Sequence, residues 1–258
     1  MKRTVVFFLV ISLCLGLVSG CGAYTYEAPQ NKEESDIYVE PVDGIEDDFY
    51  RGADVSSVLA EEKSGVKYYG YDGEEQDIFK TLADSGINYI RLRVWNDPYD
   101  RDGNGYGGGN CDTDSAIELG KRATEYGLKV LIDYHYSDFW ADPNKQMAPK
   151  DWEHKTFEDK VEAIYEFTTE SLGRIIDEGV DVGMVQIGNE INYGLSGETD
   201  KEKIDTLLIE AAKAVRKEAE ESSKDIKIAV HFTNLNNEGE IDGLLADLGA
   251  KGVDYDAV

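Results

Sequence analysis

Met184-Val185-Gln186-Ile187-Gly188-Asn189-Glu190 decides how the rest of this sequence is read. An apolar run of strand length ends in Asn189-Glu190, and a polar, glycine-containing loop, Ile191 to Gly197, follows it. A parallel barrel presents a carboxylate to solvent in this way, at the C-terminal end of a strand. A lone Glu is only half of a hydrolytic pair, because cleaving a glycosidic bond by the common route takes two carboxyl groups on opposite sides of it.

Outward from this stretch, strand and helix patterns alternate. Before it, Arg51–Ser56, Asn88–Trp95 and Lys129–Tyr136 read as strands, and Glu74–Ser85, Thr113–Tyr126 and Thr156–Glu178 carry apolar residues at helical spacing. After it come a helix at Lys201–Glu221, a strand at Ile226–His231 and a short helix at Glu240–Leu248, with Tyr255–Val258 as the start of a sixth strand. Such alternation predicts a parallel sheet with right-handed crossovers. A dinucleotide-binding open sheet would carry a glycine fingerprint after its first strand, and Gly52-Ala53-Asp54-Val55-Ser56 has none. Polar and aromatic residues gather instead beyond successive strand ends, so the expected fold is α/β, a (β/α)8 TIM barrel. About five βα units and the start of strand six are present, and the barrel is expected to be incomplete here, cut before strand seven.

The N-terminus has a different character. Lys2-Arg3 precedes an uncharged apolar run from Val5 to Val18, too short to span a bilayer comfortably, and Val18-Ser19-Gly20-Cys21 looks like a bacterial lipobox. Residues 1–20 are therefore expected to be a lipoprotein signal peptide, with Cys21 acylated and the protein exported to a bacterial cell surface. Residues 21–48 are acidic and polar, as a flexible tether would be, and residues 49–258 form the catalytic-domain candidate. Cys14 leaves with the signal and Cys21 takes the lipid, so Cys111 remains as a lone thiol and no internal disulfide can form.

The net charge is −27, and it becomes −29 once Lys2 and Arg3 are removed with the signal. A nucleic acid partner is excluded on that surface, since phosphates require a basic patch. A neutral polymer suits it better, with the lipid at Cys21 as the membrane contact and the catalytic domain expected to be a monomer.

Period-two alternation puts Arg91, Arg93 and Trp95 on one face of the second strand. An Arg inside a barrel needs a partner, so a nearby carboxylate is expected. Trp95 is a candidate for stacking on a sugar face. His135 and Asp138 have a metal-like spacing but make no site by themselves, and no metal or cofactor is expected. Asp100-Arg101-Asp102-Gly103-Asn104-Gly105 matches the first half of a calcium loop, then fails where Cys111 stands in place of the bidentate Glu, which leaves a surface turn.

Taken together, Arg51–Ser57, Tyr89–Pro98, Tyr106–Asn110, Asp133–Pro143, Gln186–Ile191, His231–Asn234 and Gly252–Asp256 resemble glycoside hydrolase family 53, the arabinogalactan endo-β-1,4-galactanases. The resemblance runs in order from about Arg51 to Val258. It implies a (β/α)8 barrel and a retaining hydrolysis of galactan side chains of plant cell-wall polymers. It makes Glu190 the general acid/base and Asn189 its sugar-binding neighbour, and it places Asp54, Arg93, His135, Asp138, Trp140 and His231 along the cleft. The family's nucleophile, a Glu on strand seven, is not in this sequence, so residues 1–258 alone are expected to be inactive. A structural calcium held by some members in late loops would likewise lie beyond Val258. The alternatives weighed against this reading are a non-catalytic glycan-binding lipoprotein and a related enzyme acting on β-glucan or mannan.

Overall fold

The computed structural model describes residues 43–258 except Asp47 and residues 234–237. The segment expected to be a signal peptide, most of the expected tether and the expected lipidation site Cys21 lie outside the described residues. Five strands form one parallel sheet in the order β1-β2-β3-β4-β5: Gly52–Asp54, Tyr89–Val94, Lys129–Tyr134, Val182–Ile187 and Lys227–Ala229. The helices are α1 (Val58–Lys63), α2 (Ile78–Asp84), α3 (Thr113–Glu125), α4 (Phe157–Asp177), α5 (Lys201–Ser222) and α6 (Glu238–Lys251). Strands neighbouring in sequence neighbour in space, and each pair is parallel, as consecutive βα units of a barrel are. The expected sixth strand begins as a parallel bridge from Ala229 to Ala257.

One face of each central strand is apolar and covered by helices. Ile90, Leu92 and Val94 of β2, Val130, Ile132 and Tyr134 of β3, and Val185 and Ile187 of β4 are buried in one cluster. From the helices it receives Ala116, Leu119 and Ala123 of α3, Ile164 and Leu172 of α4, and Leu207, Leu208 and Ala211 of α5. The other face alternates in step. Arg93, Asp133, Gln186 and Ala229 pair in register across four strands, and Arg91, Leu131, Met184 and Lys227 form the row beneath. Polar residues thus enter the sheet's inner face near the C-terminal strand ends, where a barrel carries its chemistry.

Helix starts follow local capping chemistry. Thr156 accepts from the Asp159 N–H at the start of α4, and Asp200 accepts from the Glu202 and Lys203 N–H groups at α5. Two expectations change. Helix α2 begins at Ile78 rather than Glu74, because Asp77 is its cap and Tyr69 pairs antiparallel with Glu75 just before it. Helix α1, six residues long, carries too little periodicity to be read from sequence.

Candidate active site

Asn189 and Glu190 leave β4 through a sharp turn. Gly188 has φ +91°, and a Cβ there would lie 2.6 Å from Ile191 Cγ2. Glu190 itself sits in the left-handed region at φ +52°, an uncommon conformation for a residue with a side chain. Strain of this kind persists where the surroundings impose it, and it clusters at functional sites.

The surroundings here are a network of hydrogen bonds that closes on itself. Arg91 Nη2 lies 2.7 Å from Asp133 Oδ2 and donates to Asn189 Oδ1 at 2.9 Å. Asn189 Nδ2 donates to the Ala141 carbonyl at 2.8 Å, and the Ala141 N–H donates to His135 Nδ1 at 3.0 Å. His135 Nε2, 3.0 Å from Asp133 Oδ2, completes the ring. Because His135 Nδ1 accepts a backbone N–H, the imidazole proton lies on Nε2 and points at Asp133. Gln186 spans the interior, with Nε2 donating to Asp133 Oδ1 at 2.6 Å and Oε1 accepting from Arg91 at 3.3 Å. His231 Nδ1 lies 2.8 Å from Asn189 Oδ1, and burial followed by the Arg91 charge lowers its pKa.

Arg91 has the carboxylate partners expected of an inward arginine, Asp54 as well as Asp133, each at 2.7 Å. Burial raises the Asp54 carboxyl, but hydrogen bonds from Ser56 Oγ and Ser56 N and the charges of Arg93 and Arg91 outweigh it, so its pKa falls below the ordinary value. For Glu190 the balance runs the other way. Burial, then the charge of Asp142, raise its pKa above the ordinary carboxylate value. An Asp142→Asn substitution removes the second of these causes, so the alkaline limb of any activity that needs protonated Glu190 should move to lower pH. A pH profile of kcat/KM measures the shift, and an unmoved limb would assign that limb to another group.

The expected cleft residues divide into two sets. Trp140, 39% exposed, and half-buried Glu190 and His231 reach solvent, as does part of the Asp54 side chain. Trp95 does not: it is fully buried, with ring centroids 4.9 Å from Phe139 and 5.7 Å from Trp140, so it supports the cleft wall rather than offering a face to a sugar. The glycine loop makes this cover, since a Cβ at Gly108 would stand 3.1 Å from the Trp95 ring and 3.2 Å from Trp140 Nε1. Arg93 is buried beneath the same wall, its guanidinium 4.0 Å from the Trp140 ring centroid, a cation–π stack in place of the expected close ion pair. His135 is fully buried with both nitrogens engaged, and Asn189 is buried with both ends of its amide hydrogen-bonded. Asp138 accepts from the Asp97 and Lys150 N–H groups and ties the β3–α4 loop down, while burial raises its pKa.

Asp133 and Gln186 stand inside the motifs yet are not singled out by sequence. The signal was available: each is a polar residue in an otherwise apolar strand, at a position that alternates inward. No group of three His, Cys, Asp or Glu side chains among the described residues is placed to hold a metal. Asp100 instead caps its own turn, accepting from Asp102 N and Asn104 N. Cys111 is buried with its pKa pushed up to about 11, chiefly by burial, so it is a packing residue and no thiolate nucleophile.

Parallel βα units carrying an Asn-Glu pair at the end of the fourth strand, above a buried Arg–Asp–His network, are the framework of an α/β-barrel glycoside hydrolase. Comparison with known proteins narrows the class. The sequence profile of Glycosyl hydrolase family 53 matches residues 50–258, and the chain belongs to that family. It is 48% identical to an endo-beta-1,4-galactanase of Bacillus subtilis over 99% of this chain and 60% of the relative. It is 39% identical to an arabinogalactan endo-beta-1,4-galactanase of Humicola insolens over 72% of this chain and 54% of the relative. The solved Ignisphaera aggregans GH53 catalytic domain superposes with a TM-score of 0.81 at 38% identity, covering 85% of this chain and 61% of that one. The chain thus spans 54–60% of the length of these two curated relatives.

Proposed function

We propose that the full-length protein is a retaining endo-β-1,4-galactanase in which Glu190 is the general acid/base and a carboxylate outside residues 1–258 is the nucleophile. The observation that carries this reading is the Glu190 carboxyl itself, solvent-reaching at the end of β4 and raised in pKa by burial and Asp142. A general acid must hold its proton until the bond breaks, and an environment that disfavours its anion serves that need. In the first step the Glu190 proton passes to the glycosidic oxygen as its bond to the anomeric carbon breaks and the nucleophile, ~5–5.5 Å from Glu190, bonds to that carbon. In the second step Glu190 takes a proton from the water that attacks the same carbon and releases the nucleophile.

The surface-reaching indole of Trp140 offers an apolar face to a pyranose, and the net charge of −27 suits a neutral galactan. We place this chemistry in the domain beginning near residue 49, with residues 21–48 as its tether and Cys21 as its lipid-bearing end at the bacterial surface. The test is to follow anomeric configuration by NMR while the full-length protein digests galactan, with β-glucan and mannan in parallel. β-configured reducing ends appearing first on galactan alone are expected. α-configured first products would overturn retention, preference for another polymer would overturn the substrate, and binding without cleavage would overturn the enzyme reading.

A further inference from the structure

Beyond the residues that the family resemblance marks, Gln146 contacts the backbone of both Asn189 and Glu190. Its Nε2 donates to the Asn189 carbonyl at 2.8 Å and to the Glu190 carbonyl at 3.2 Å. The preceding carbonyl, of Gly188, accepts from Gln186 Nε2 at 2.9 Å. Three consecutive carbonyls that have left the β4 ladder are therefore held by the amides of two glutamines. A backbone outside regular structure takes its geometry from whatever satisfies its polar groups. Here the segment includes Glu190 at φ +52°.

Gln146 is itself built in. The Gly197 N–H donates to its carbonyl, which joins it to the loop following Glu190. A Cβ on Gly194 would lie 2.9 Å from Gln146 Cβ and 3.1 Å from its Cγ, so the absence of a side chain at 194 makes room for the glutamine stem. Its Oε1 is buried with no partner among the described residues. Turning the amide over would set that oxygen against two carbonyl oxygens, so the two acceptors fix its orientation even at the cost of an unsatisfied end.

We propose that Gln146 is a positioning residue that holds the main chain of Asn189-Glu190 so that the Glu190 carboxyl meets the leaving oxygen, an inference that rests on the acid/base role proposed above for Glu190. It follows that losing the amide donor matters most when a proton must be delivered. Gln146→Met keeps the length of the side chain and removes the donor. In the full-length protein it should lower kcat/KM on galactan by ~30–100-fold, the scale of a small misplacement of a catalytic group. On a dinitrophenyl β-galactobioside, whose leaving group departs as a stable anion without protonation, kcat/KM should stay within ~3-fold of the parent, because little acid assistance is used. Gly194→Ala, which crowds the glutamine from the other side, should show the same pattern in weaker form if Gln146→Met does not fold.

Glu190→Ala is the control that separates the two levels of the argument. If Glu190→Ala loses the galactan and the dinitrophenyl substrate equally, the acid role fails and this inference with it. If Glu190→Ala discriminates between them but Gln146→Met loses both equally, Gln146 only supports the fold and the positioning role is refuted. Unchanged rates on both substrates in a folded Gln146→Met protein would refute it as well.

Discussion

Glu190→Ala in the full-length protein should lower kcat on galactan by ~10³–10⁴-fold, the upper part of what a positioned general acid/base contributes. Both steps of double displacement use this carboxyl, so neither escapes the loss. Melting temperature should be equal to or above that of the parent, because the substitution removes a carboxylate that burial and Asp142 already disfavour. Loss of activity without loss of stability distinguishes a chemical role from a structural one. With a dinitrophenyl β-galactobioside, which forms the glycosyl-enzyme without acid assistance and leaves its breakdown rate-limiting, azide should restore turnover, since a small anion that needs no deprotonation can enter the space of the missing side chain and attack the glycosyl-enzyme. The product expected is a β-galactosyl azide, identified by its anomeric coupling. Galactan hydrolysis undiminished by the substitution, or an α-azide, would each refute the mechanism.

The parts of this site that were legible in the sequence are those set by periodicity. Parallel pairing followed from strand-helix alternation, and the inward direction of Arg91 and its need for a carboxylate followed from period two and the cost of a buried charge. What periodicity cannot supply is depth. Trp95 and Trp140 are both aromatic residues past strand ends, yet one is fully buried and the other is 39% exposed, because Gly108 and Phe139 close over the first. Arg93 and Arg91 alternate inward alike, but only Arg91 lies within reach of Asp133, which belongs to the row of its neighbour. Gln146 was illegible for a related reason: it reaches Asn189 and Glu190 across 43 and 44 residues, from a loop whose path no local pattern specifies. His135 shows that a motif position can be found and its task misjudged, since its two nitrogens serve Asp133 and the Ala141 amide and leave none for a substrate.

Arg91→Met should destabilise the protein by ~3–5 kcal/mol, the cost of leaving buried charge without its partner. Asp133 is fully buried, and among the described residues Arg91 is the only Lys or Arg within ion-pair distance of it, the His135 ring serving it as a hydrogen-bond donor. Asp54, one-third exposed, loses the same guanidinium. Arg91→Lys should be little better, because an ammonium is a single point of charge, whereas the planar fork serves Asp54, Asp133, Gln186 and Asn189 together. The penalty should depend on pH with a definite sign. The folded-state pKa of Asp54 is depressed, so its stabilising contribution is complete above the unfolded carboxylate value of about 3.9 and is lost as pH falls through the lower folded value. Ser56 and Arg93 remain in the variant, so the depression weakens without vanishing. The stability gap between Arg91→Met and the parent should therefore be widest above about pH 5 and should narrow on acidification toward the folded Asp54 value. Urea unfolding at a series of pH values measures it. A gap that stays constant down to pH 3 would mean that lost packing of the arginine stem, and not its charge, accounts for the cost.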